Sequence, residues 1–394
     1  MHILVAPDSF KGSLTAAEAA RSMENGIRAV FPEARVTRIP LSDGGEGLVH
    51  TLVEASGGLY RHQVVSGPDL KPVTACWGIL GDGDTAVAEM ASASGLTLVP
   101  PAGRDPGRAT TLGTGQLIRA VLDAGIPRLI LGIGGSATND AGAGALSALG
   151  IRFLDAQGLI LPPGGAALAR LARIDAGDLD PRLSALEILV ACDVDNPLCG
   201  PNGATAVFGL QKGVEPDQVP ALDAALDRFA AIAARATGRG MADVPGAGAA
   251  GGLGAGLLFF TSATLRPGIE VVMESLGFAQ LLREADLVLT GEGQTDSQTV
   301  RGKVPLGVAH AARAEGKPVI CLSGGLGPGY KEIFLHGIAA AMSVPPRCMA
   351  LEESIAAAAL LLEDAAARLC RVLKTGMDMG PPAGGDLAEK EKSG

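Results

Sequence analysis

Short apolar runs that end in a polar, glycine-rich loop and continue into a helical pattern recur along this chain, and this alternation constrains the fold most strongly. Residues 2–6 lead into the loop PDSFKGSL, and Thr15 and Glu18 then have the spacing of a capping box at the start of a helix. Residues 35–39 lead into PLSDGGEG and a second helical pattern. Strand, loop and helix in this repeated order predict a parallel sheet covered by helices.

The alternation breaks in the middle of the chain and resumes near residue 285. Short strands are predicted at 60–66, 73–80 and 85–90, and they are joined by glycine-rich turns, among them GDGD at 81–84, which are typical of antiparallel hairpins. We therefore predict an α/β protein in which a parallel-sheet domain, built from both chain ends, surrounds an inserted α/β domain with a mixed sheet. The predicted limits are 1–58 with 285–375 for the first domain, 59–284 for the second, and 376–394 for a mobile tail.

Composition and charge restrict the setting in which the protein works. The 394 residues exceed one ordinary core, and the net charge of -10 at pH 7 disfavours nucleic acid as a partner. Six cysteines without a CxxC pair favour a reduced, cytoplasmic protein. We see no signal peptide, and no apolar run approaches the roughly 20 residues of a membrane span. These features predict a soluble cytoplasmic protein and leave its oligomeric state open, with a homodimer among the alternatives.

Five polar loops follow predicted strands and collect the residues that carry chemistry. They span 7–13, 42–47, 134–140, 192–197 and 291–303. Amide groups in glycine-rich turns that open a helix bind anionic oxygens such as those of phosphate. Carboxylates in neighbouring loops would repel a phosphate unless Mg2+ lies between them. These loops, together with Lys11 and Lys303, therefore indicate a phosphoryl-transfer site.

The loops also have structural interpretations, which the residues alone leave open. Thr15 and Asp140 are of the types that cap helices, and Asp43 is placed to bind the amides of its own turn. No GxxxxGK[ST] motif occurs, so the chain is not a P-loop protein. One GxGxxG is present at 246–251, but it follows the dipeptide VP and not a strand, which weakens a dinucleotide-binding interpretation.

These loops resemble those of the bacterial type I glycerate kinase family. Seven segments match in order, among them APDSFKGSLTAAEAA, SDGGEG, GIGGSATNDAGAG, ACDVDNPLCGPNGA and GEGQTDSQTVRGKVPLGVA, and the resemblance extends to about residue 375. It implies ATP- and Mg2+-dependent phosphorylation of D-glycerate, commonly at the 2-hydroxyl, to give 2-phosphoglycerate and ADP. It also implies a flavodoxin-like or Rossmann-like domain paired with an inserted α/β domain. Ser42, Leu48 and Ala141 depart from the family pattern at the loop edges.

The resemblance and the chemistry of phosphoryl transfer together give hypotheses for individual residues. We predict that Asp193 orients or deprotonates the glycerate hydroxyl, and that Lys11 and Lys303 offset negative charge. Arg301, with Arg104 as the alternative, is expected to bind a carboxylate. The remaining predicted residues are Gly134, Gly135, Ser136 and Asn139 for the nucleotide, Asp140, Glu292 and Asp296 for Mg2+, and Asp8, Ser9, Asp43 and Glu46 for the substrate.

Three other functions stay open at this point. The same kinase chemistry could give 3-phosphoglycerate, and the same sheet could serve an NAD(P)-dependent hydroxy-acid oxidoreductase, which the position of the GxGxxG argues against. A non-catalytic sensor of small hydroxy acids would leave the acidic loops without a role.

Overall fold

The computed structural model describes residues 1–45 and 47–379, with the backbone alone at Arg301. The strands are β1 (His2–Val5), β2 (Arg35–Arg38), β3 (Leu59–Ser66), β4 (Pro72–Ile79), β5 (Thr85–Glu89), β6 (Arg128–Gly132), β7 (Arg152–Leu154), β8 (Arg173–Asp175), β9 (Glu187–Ala191), β10 (Thr264–Arg266), β11 (Leu287–Glu292), β12 (Val319–Ser323) and β13 (Ile338–Ser343). The α-helices are α1 (Ala16–Arg28), α2 (Leu48–Ser56), α3 (Ala91–Ser94), α4 (Leu112–Asp123), α5 (Ala143–Ala148), α6 (Ala204–Phe208), α7 (Val219–Thr237), α8 (Ala249–Phe260), α9 (Gly268–Ser275), α10 (Phe278–Glu284), α11 (Val304–Ala314), α12 (Leu351–Ala356) and α13 (Ala358–Asp378). The chain divides into two compact units, a first formed by Met1–Pro40 with the chain from Ala279 onward, and a second formed by Leu41–Phe278.

The first unit contains a five-stranded sheet in which every neighbouring pair of strands is parallel. The order is β13-β12-β11-β1-β2. Counted along the chain within this unit, this is the 2-1-3-4-5 order of flavodoxin-like folds, with a switch point between β1 and β11. The predicted parallel sheet built from both chain ends is confirmed. The loop after β1 lies beside the carboxyl end of β11, where the Asp8 amide donates to the Gly291 carbonyl at 2.8 Å.

Helices α1 and α13 pack closely against each other within this unit. A Cβ at Gly26 would lie 2.2 Å from the Glu363 carbonyl oxygen, so the helices can approach only because this residue is glycine. Helix α1 begins at the predicted capping box, in which the Thr15 hydroxyl accepts from the Glu18 amide and the Glu18 carboxylate accepts from the Thr15 amide. The sequence therefore determines both where the helix starts and what it packs on.

The second unit contains a six-stranded mixed sheet with the order β10-β9-β6-β5-β4-β3. Strands β10, β9, β6 and β5 are parallel, whereas β4 pairs antiparallel with both β5 and β3. The prediction of an antiparallel segment inserted in the chain is therefore confirmed. The central strands are buried through side chains such as Leu131 and Val190, so their carboxyl ends are fixed by the core. A small antiparallel pair, β7 and β8, completes the unit.

The contacts place some connecting segments differently from the limits that the sequence predicted. Helix α2 packs on β4 and β5, so residues 41–58 belong to the second unit. Residues 279–284 belong to the first unit, where the His2 imidazole lies 2.9 Å from the Glu284 carbonyl oxygen. Helix α13 extends to Asp378, beyond the predicted start of the tail, and residues 380–394 lie outside the described part of the chain.

Among the residues that the structure describes, every helix is too short or too polar to cross a membrane.

Candidate active site

The glycine-rich loop after β6 forms one wall of a cavity in the second unit. Gly135 has a left-handed backbone conformation (φ +72°), and Gly134, Gly135 and Ser136 border the cavity. Within residues 1–45 and 47–379, the amide N–H groups of these three residues have no hydrogen-bond acceptor. Unpaired amides in a glycine turn are typical anion-binding groups. We call this space of about 360 Å3 the loop cavity, and its other polar or glycine borders include Gly44, Gly45, Asp193, Gln211 and Lys212.

Asp140 holds this loop from inside the protein. It is fully buried, and its carboxylate accepts hydrogen bonds from the amides of Thr111 at 2.9 Å, Gly142 at 3.1 Å and Gly144 at 3.2 Å. The Thr111 hydroxyl also donates to it. Burial raises the pKa of Asp140, and these donors oppose that rise. Asp140 does not border the loop cavity, so this predicted Mg2+ ligand lies where it fixes the geometry of the loop.

The GxGxxG run at the start of α8 supports the same loop from the other side. Ala250, Gly251 and Gly252 all have left-handed backbone conformations, and the Gly251 carbonyl accepts from the Ala141 amide at 3.0 Å. A Cβ at Gly251 would lie 2.0 Å from the Thr138 carbonyl oxygen. No strand precedes this run in the structure. Its glycines therefore serve close packing, which explains why the motif appears without the setting of a dinucleotide site.

Asp193 follows β9 and borders the loop cavity; the residue is open to solvent, but its carboxylate is partly buried where it meets the start of α9. Its Oδ1 accepts a hydrogen bond of 2.8 Å from the amide of Gly268, the first residue of α9. The protein raises the pKa of Asp193 to about 6, chiefly because desolvation disfavours the charged form, with repulsion from Asp43 adding to the rise. A carboxyl group that titrates near this pH is suited to accept a proton at neutral pH.

The loop between β2 and α2 brings Asp43 to this corner of the second unit. A Cβ at Gly44 would lie 2.7 Å from the backbone of α9, so glycine is required for the approach. The Asp43 carboxylate accepts from the Gly45 amide at 3.1 Å, as its structural interpretation predicted. Asp43 therefore acts on Asp193 through its charge. Glu46, which we also predicted to contact the substrate, lies outside the described residues.

Lys212 is a charged residue at the loop cavity that the sequence analysis missed. Its side chain is buried, and its Nζ donates to the Ser136 hydroxyl at 2.7 Å and to the Thr138 carbonyl at 2.8 Å. Burial lowers the pKa of Lys212 to about 8, and the charge of Asp140 opposes this. The residue lies in the short 3-10 helix Leu210–Lys212, where no motif marks it. Its only sequence signal is a lysine immediately before a glycine, which is too common to be informative.

Asn139 lies behind the loop and not in the cavity. It is fully buried, and its Nδ2 donates to the Thr205 hydroxyl at 2.9 Å. Its Oδ1, like the buried Thr138 hydroxyl, has no hydrogen-bond partner among the described residues. The predicted nucleotide contact at Asn139 is therefore separated from the cavity wall formed by the three residues before Ala137.

In the first unit, Glu292 at the end of β11 is the centre of a second polar cluster. Its carboxylate accepts from the hydroxyls of Thr295 at 3.0 Å and Thr299 at 2.7 Å, and it forms an ion pair with Lys303 at 3.3 Å. Burial raises the pKa of Glu292, whereas the two threonines and the lysine oppose the rise. The structure thus brings together two of the predicted site residues, Glu292 and Lys303, and satisfies their charges within the cluster.

The other predicted residues of the first unit lie in the adjoining loops. Asp8 follows β1 and accepts from the Ser9 amide at 2.6 Å, and the exposed Lys11 follows within the same loop. Asp296 lies beyond β11, where its carboxylate accepts from the Gln298 amide at 2.8 Å. For Arg301, which ends the 3-10 helix Thr299–Arg301, only the backbone is described.

The predicted metal ligands do not form a preformed three-ligand site. Among the described residues, no group of three or more His, Cys, Asp or Glu side chains is placed to hold a metal ion. Asp140 is enclosed by amide and hydroxyl donors, and Glu292 by hydroxyls and an ammonium group. These groups donate hydrogen bonds to the two carboxylates, and a cation that binds either carboxylate would have to displace some of them.

The fold and these sites define an α/β protein of two units with the groups needed for phosphoryl transfer, and comparison with known proteins gives its family. The family model described as the glycerate kinase family matches residues 3–374. The chain is 51% identical to a glycerate kinase of Bacillus subtilis (strain 168), over 96% of this chain and 99% of that relative. It is 48% identical to a glycerate 2-kinase of Escherichia coli (strain K12), over 90% of this chain and 93% of that relative. A crystal structure assigned as glycerate kinase 2 from Salmonella typhimurium LT2 has a TM-score of 0.88 and 48% identity, covering 96% of this chain and 99% of that one. The chain belongs to the glycerate kinase family.

The resemblance stated from the sequence is therefore confirmed, and with it the classification as a kinase. The alternative of a hydroxy-acid oxidoreductase receives no support from these relatives.

Proposed function

We propose that this protein transfers the γ-phosphoryl group of ATP to the 2-hydroxyl group of D-glycerate, giving 2-phosphoglycerate and ADP. Family membership supports ATP as the phosphate donor, and the relatives named glycerate kinase and glycerate 2-kinase support the substrate and the position of transfer. One structural observation carries the proposal: the carboxylate of Asp193 and the unpaired amides of Gly134, Gly135 and Ser136 border the same cavity.

In this proposal Asp193 accepts the proton of the substrate hydroxyl. Its Oδ1 is occupied by the Gly268 amide, so Oδ2 is the oxygen that takes the proton. The hydroxyl oxygen then bonds to the γ-phosphorus as the bond to the ADP oxygen breaks, and ADP leaves with the bonding electron pair. The raised pKa of Asp193, about 6, makes it a stronger base than an ordinary aspartate while it is still mostly ionised at neutral pH.

The loop cavity supplies the groups that offset the charge of the transferred phosphoryl. An ammonium group has three donors, and Lys212 uses two of them on Ser136 and Thr138. The third remains for a ligand in the cavity, beside the amides of the glycine turn. Fixed donors of this kind need no reorganisation during the reaction, which is why they stabilise developing negative charge effectively.

Mg2+ is part of the proposal as an ion that arrives with the nucleotide. Magnesium is usually held by one or two protein carboxylates, substrate phosphates and water. The described residues offer no preformed set of three ligands, and the roles of Asp140, Glu292 and Asp296 as Mg2+ ligands stay predictions. The bound ion would neutralise phosphate charge, and no step here depends on its position. The roles predicted for Asp8, Ser9, Lys11, Lys303 and Arg301 stay predictions that mutagenesis can test.

The test is incubation of the purified protein with ATP, Mg2+ and D-glycerate, with ADP release as the first measurement. Coupling the product to enolase then separates the two positions of transfer, since enolase consumes 2-phosphoglycerate directly but not 3-phosphoglycerate. Glycerate-dependent ADP release without enolase turnover would assign the 3-hydroxyl. Absence of any glycerate-dependent release would refute the proposed function.

A further inference from the structure

A second and larger cavity in the second unit is not used by the function proposed above. It has a volume of about 660 Å3, within the usual range for small-molecule sites, and the loop cavity is about half as large. Its charged lining includes Arg104, Arg108, Arg170 and Lys212, and we call it the arginine cavity. Lys212 borders both cavities, so its buried ammonium group lies where the two adjoin.

The cationic groups of the arginine cavity are not neutralised by the protein. None of its three arginines takes part in an ion pair within the described parts of the chain. Two carboxylates also border it, but Asp69 is paired with the exposed Lys71 at 2.6 Å. The other, Asp105, accepts from the Gly107 amide at 3.1 Å. The cavity therefore carries an excess of positive charge in a protein whose net charge is -10, which is suited to a ligand with several negative charges.

Two of these cations are held in place, which distinguishes the cavity from a chance group of surface arginines. Lys212 is only 3% exposed and is fixed by two hydrogen bonds to the loop after β6. Arg104 donates from Nη1 to the Gln211 carbonyl at 3.4 Å, while its buried Nε has no partner among the described residues. A left-handed glycine, Gly213, allows the close approach, since a Cβ there would lie 2.9 Å from the Arg104 Cβ. A buried donor without an acceptor is costly unless a ligand or water pairs with it.

The remaining walls of the arginine cavity are apolar. They are formed by Pro68, Leu70, Val99, Pro162 and Pro163. Leu70 is 50% exposed and has a left-handed backbone conformation (φ +68°). A bulky residue in that conformation is unfavourable, and such strain tends to persist at ligand sites. Apolar walls beside guanidinium groups are suited to a ligand that has both an apolar ring face and phosphates.

We propose that the arginine cavity binds the adenosine and the inner phosphates of ATP, with Lys212 at the junction where the γ-phosphoryl group enters the loop cavity. This inference rests on the proposed kinase function and adds the location of the nucleotide. The loop cavity then needs to hold only glycerate and the transferred group, which agrees with its smaller volume. Arg108 and Arg170 bind the phosphates, and the proline walls and Leu70 enclose the base.

The test is ADP binding by calorimetry to the full-length protein and to the double variant Arg108→Gln/Arg170→Gln. Both arginines are exposed, so the changes are compatible with folding. The matched control is Arg61→Gln/Arg235→Gln, which removes two exposed arginines of the same unit that do not border either cavity. We expect the dissociation constant for ADP to rise at least about tenfold in the cavity variant and less than about twofold in the control.

Kinetics and a second ligand complete the design. The KM for ATP should rise with the dissociation constant, while the KM for glycerate changes much less. An unchanged affinity for ADP, or an equal loss in the control pair, would overturn the inference and leave the kinase function standing. Tripolyphosphate that binds as tightly as ADP would also overturn it, because the cavity would then recognise phosphate charge alone. If ADP binding is lost as expected but glycerate is never phosphorylated, the proposed function fails and the nucleotide site remains.

Discussion

Glu292 in the first unit and Asp193 in the second are both carboxylates at the carboxyl end of a parallel strand, yet they differ in burial and in their hydrogen-bond partners. Glu292 is buried and receives two hydroxyl hydrogen bonds and an ion pair with Lys303. Asp193 borders a cavity, and among the described residues it accepts a hydrogen bond from the Gly268 amide alone, while the charge of Asp43 acts against its ionisation. The first carboxylate is satisfied by its neighbours, and the second retains capacity for a ligand.

The difference lies in what surrounds the strand end. After β11 the chain supplies threonine hydroxyls and a lysine within about ten residues, so one short segment provides all of these partners of the Glu292 carboxylate. After β9 the nearest elements are glycine turns and a helix N-terminus, which offer amides and space. We therefore expect chemistry to depend strongly on the second site, and structure to depend more on the first.

The largest effect is expected for Asp193→Asn. Asparagine keeps an oxygen that can accept from the Gly268 amide but cannot take a proton, so kcat should fall at least about 10²-fold with the fold intact. In the wild-type protein kcat/KM should rise as pH increases through about 6, because the base must be ionised. The measurement is a coupled kinase assay with circular dichroism as a check on folding.

Asp195→Asn is the matched control, because it removes an exposed carboxylate from the same loop. Its kcat should stay within about twofold of the wild-type value. Near-normal turnover of Asp193→Asn would move the role of base to another residue and remove the contrast between the two carboxylates.

The second largest loss of kcat is expected for Lys212→Met. Methionine fills a similar volume without an ammonium group, so we expect kcat to fall about 10²-fold through loss of a fixed donor. Stability should change less, since removing a buried charge offsets the loss of its hydrogen bonds. Steady-state kinetics and urea unfolding measure the two separately, with the exposed Lys374→Met as control. Unfolding of the variant, or kcat unchanged, would show that Lys212 supports only the loop.

Asp140→Ala should reduce stability more than any substitution discussed so far. It leaves the amides of Thr111, Gly142 and Gly144 without an acceptor in the interior. An unpaired buried donor costs about 1–3 kcal/mol, so the free energy of unfolding should fall by about 3 kcal/mol or more. Urea unfolding measures this loss. A stable variant whose activity recovers with excess Mg2+ would instead support the metal-binding role that the sequence predicted for Asp140.

The sequence was sufficient for the fold because the fold depends on local patterns. The alternation of strands and helices predicts the parallel sheet, and the capping box of Thr15 and Glu18 predicts the start of α1. The glycine-rich turns between residues 60 and 90 predict the antiparallel insertion. The candidate site was predictable only where a loop carries its own signal. Lys212 could not be found, since its importance comes from burial against Ser136 and Thr138, which are more than seventy residues away in the chain.

The same limit applies to Asp140 and Glu292, for which the sequence predicts a role in metal binding. A carboxylate after a strand is compatible with a cation ligand and with an internal acceptor, and only the positions of its neighbours decide between them. At Asp140 these neighbours are the amides of the segments at 110–111 and 142–144, and at Glu292 they are Thr295, Thr299 and Lys303. Nothing in the residue types distinguishes either case from Asp193.

The smallest effect is expected for Glu292→Gln, which tests the other half of the comparison. Glutamine keeps an oxygen for the hydroxyls of Thr295 and Thr299 but loses the charge-assisted contact with Lys303, so the free energy of unfolding should fall by about 1.5–3 kcal/mol. We expect kcat to fall less than about tenfold, with Glu332→Gln, an exposed glutamate of the same unit, as control. A loss of kcat as large as that of Asp193→Asn, together with a higher Mg2+ requirement, would make Glu292 a metal ligand. In that case the cluster of the first unit would open to bind the ion, and its hydrogen bonds would describe a resting arrangement of catalytic groups.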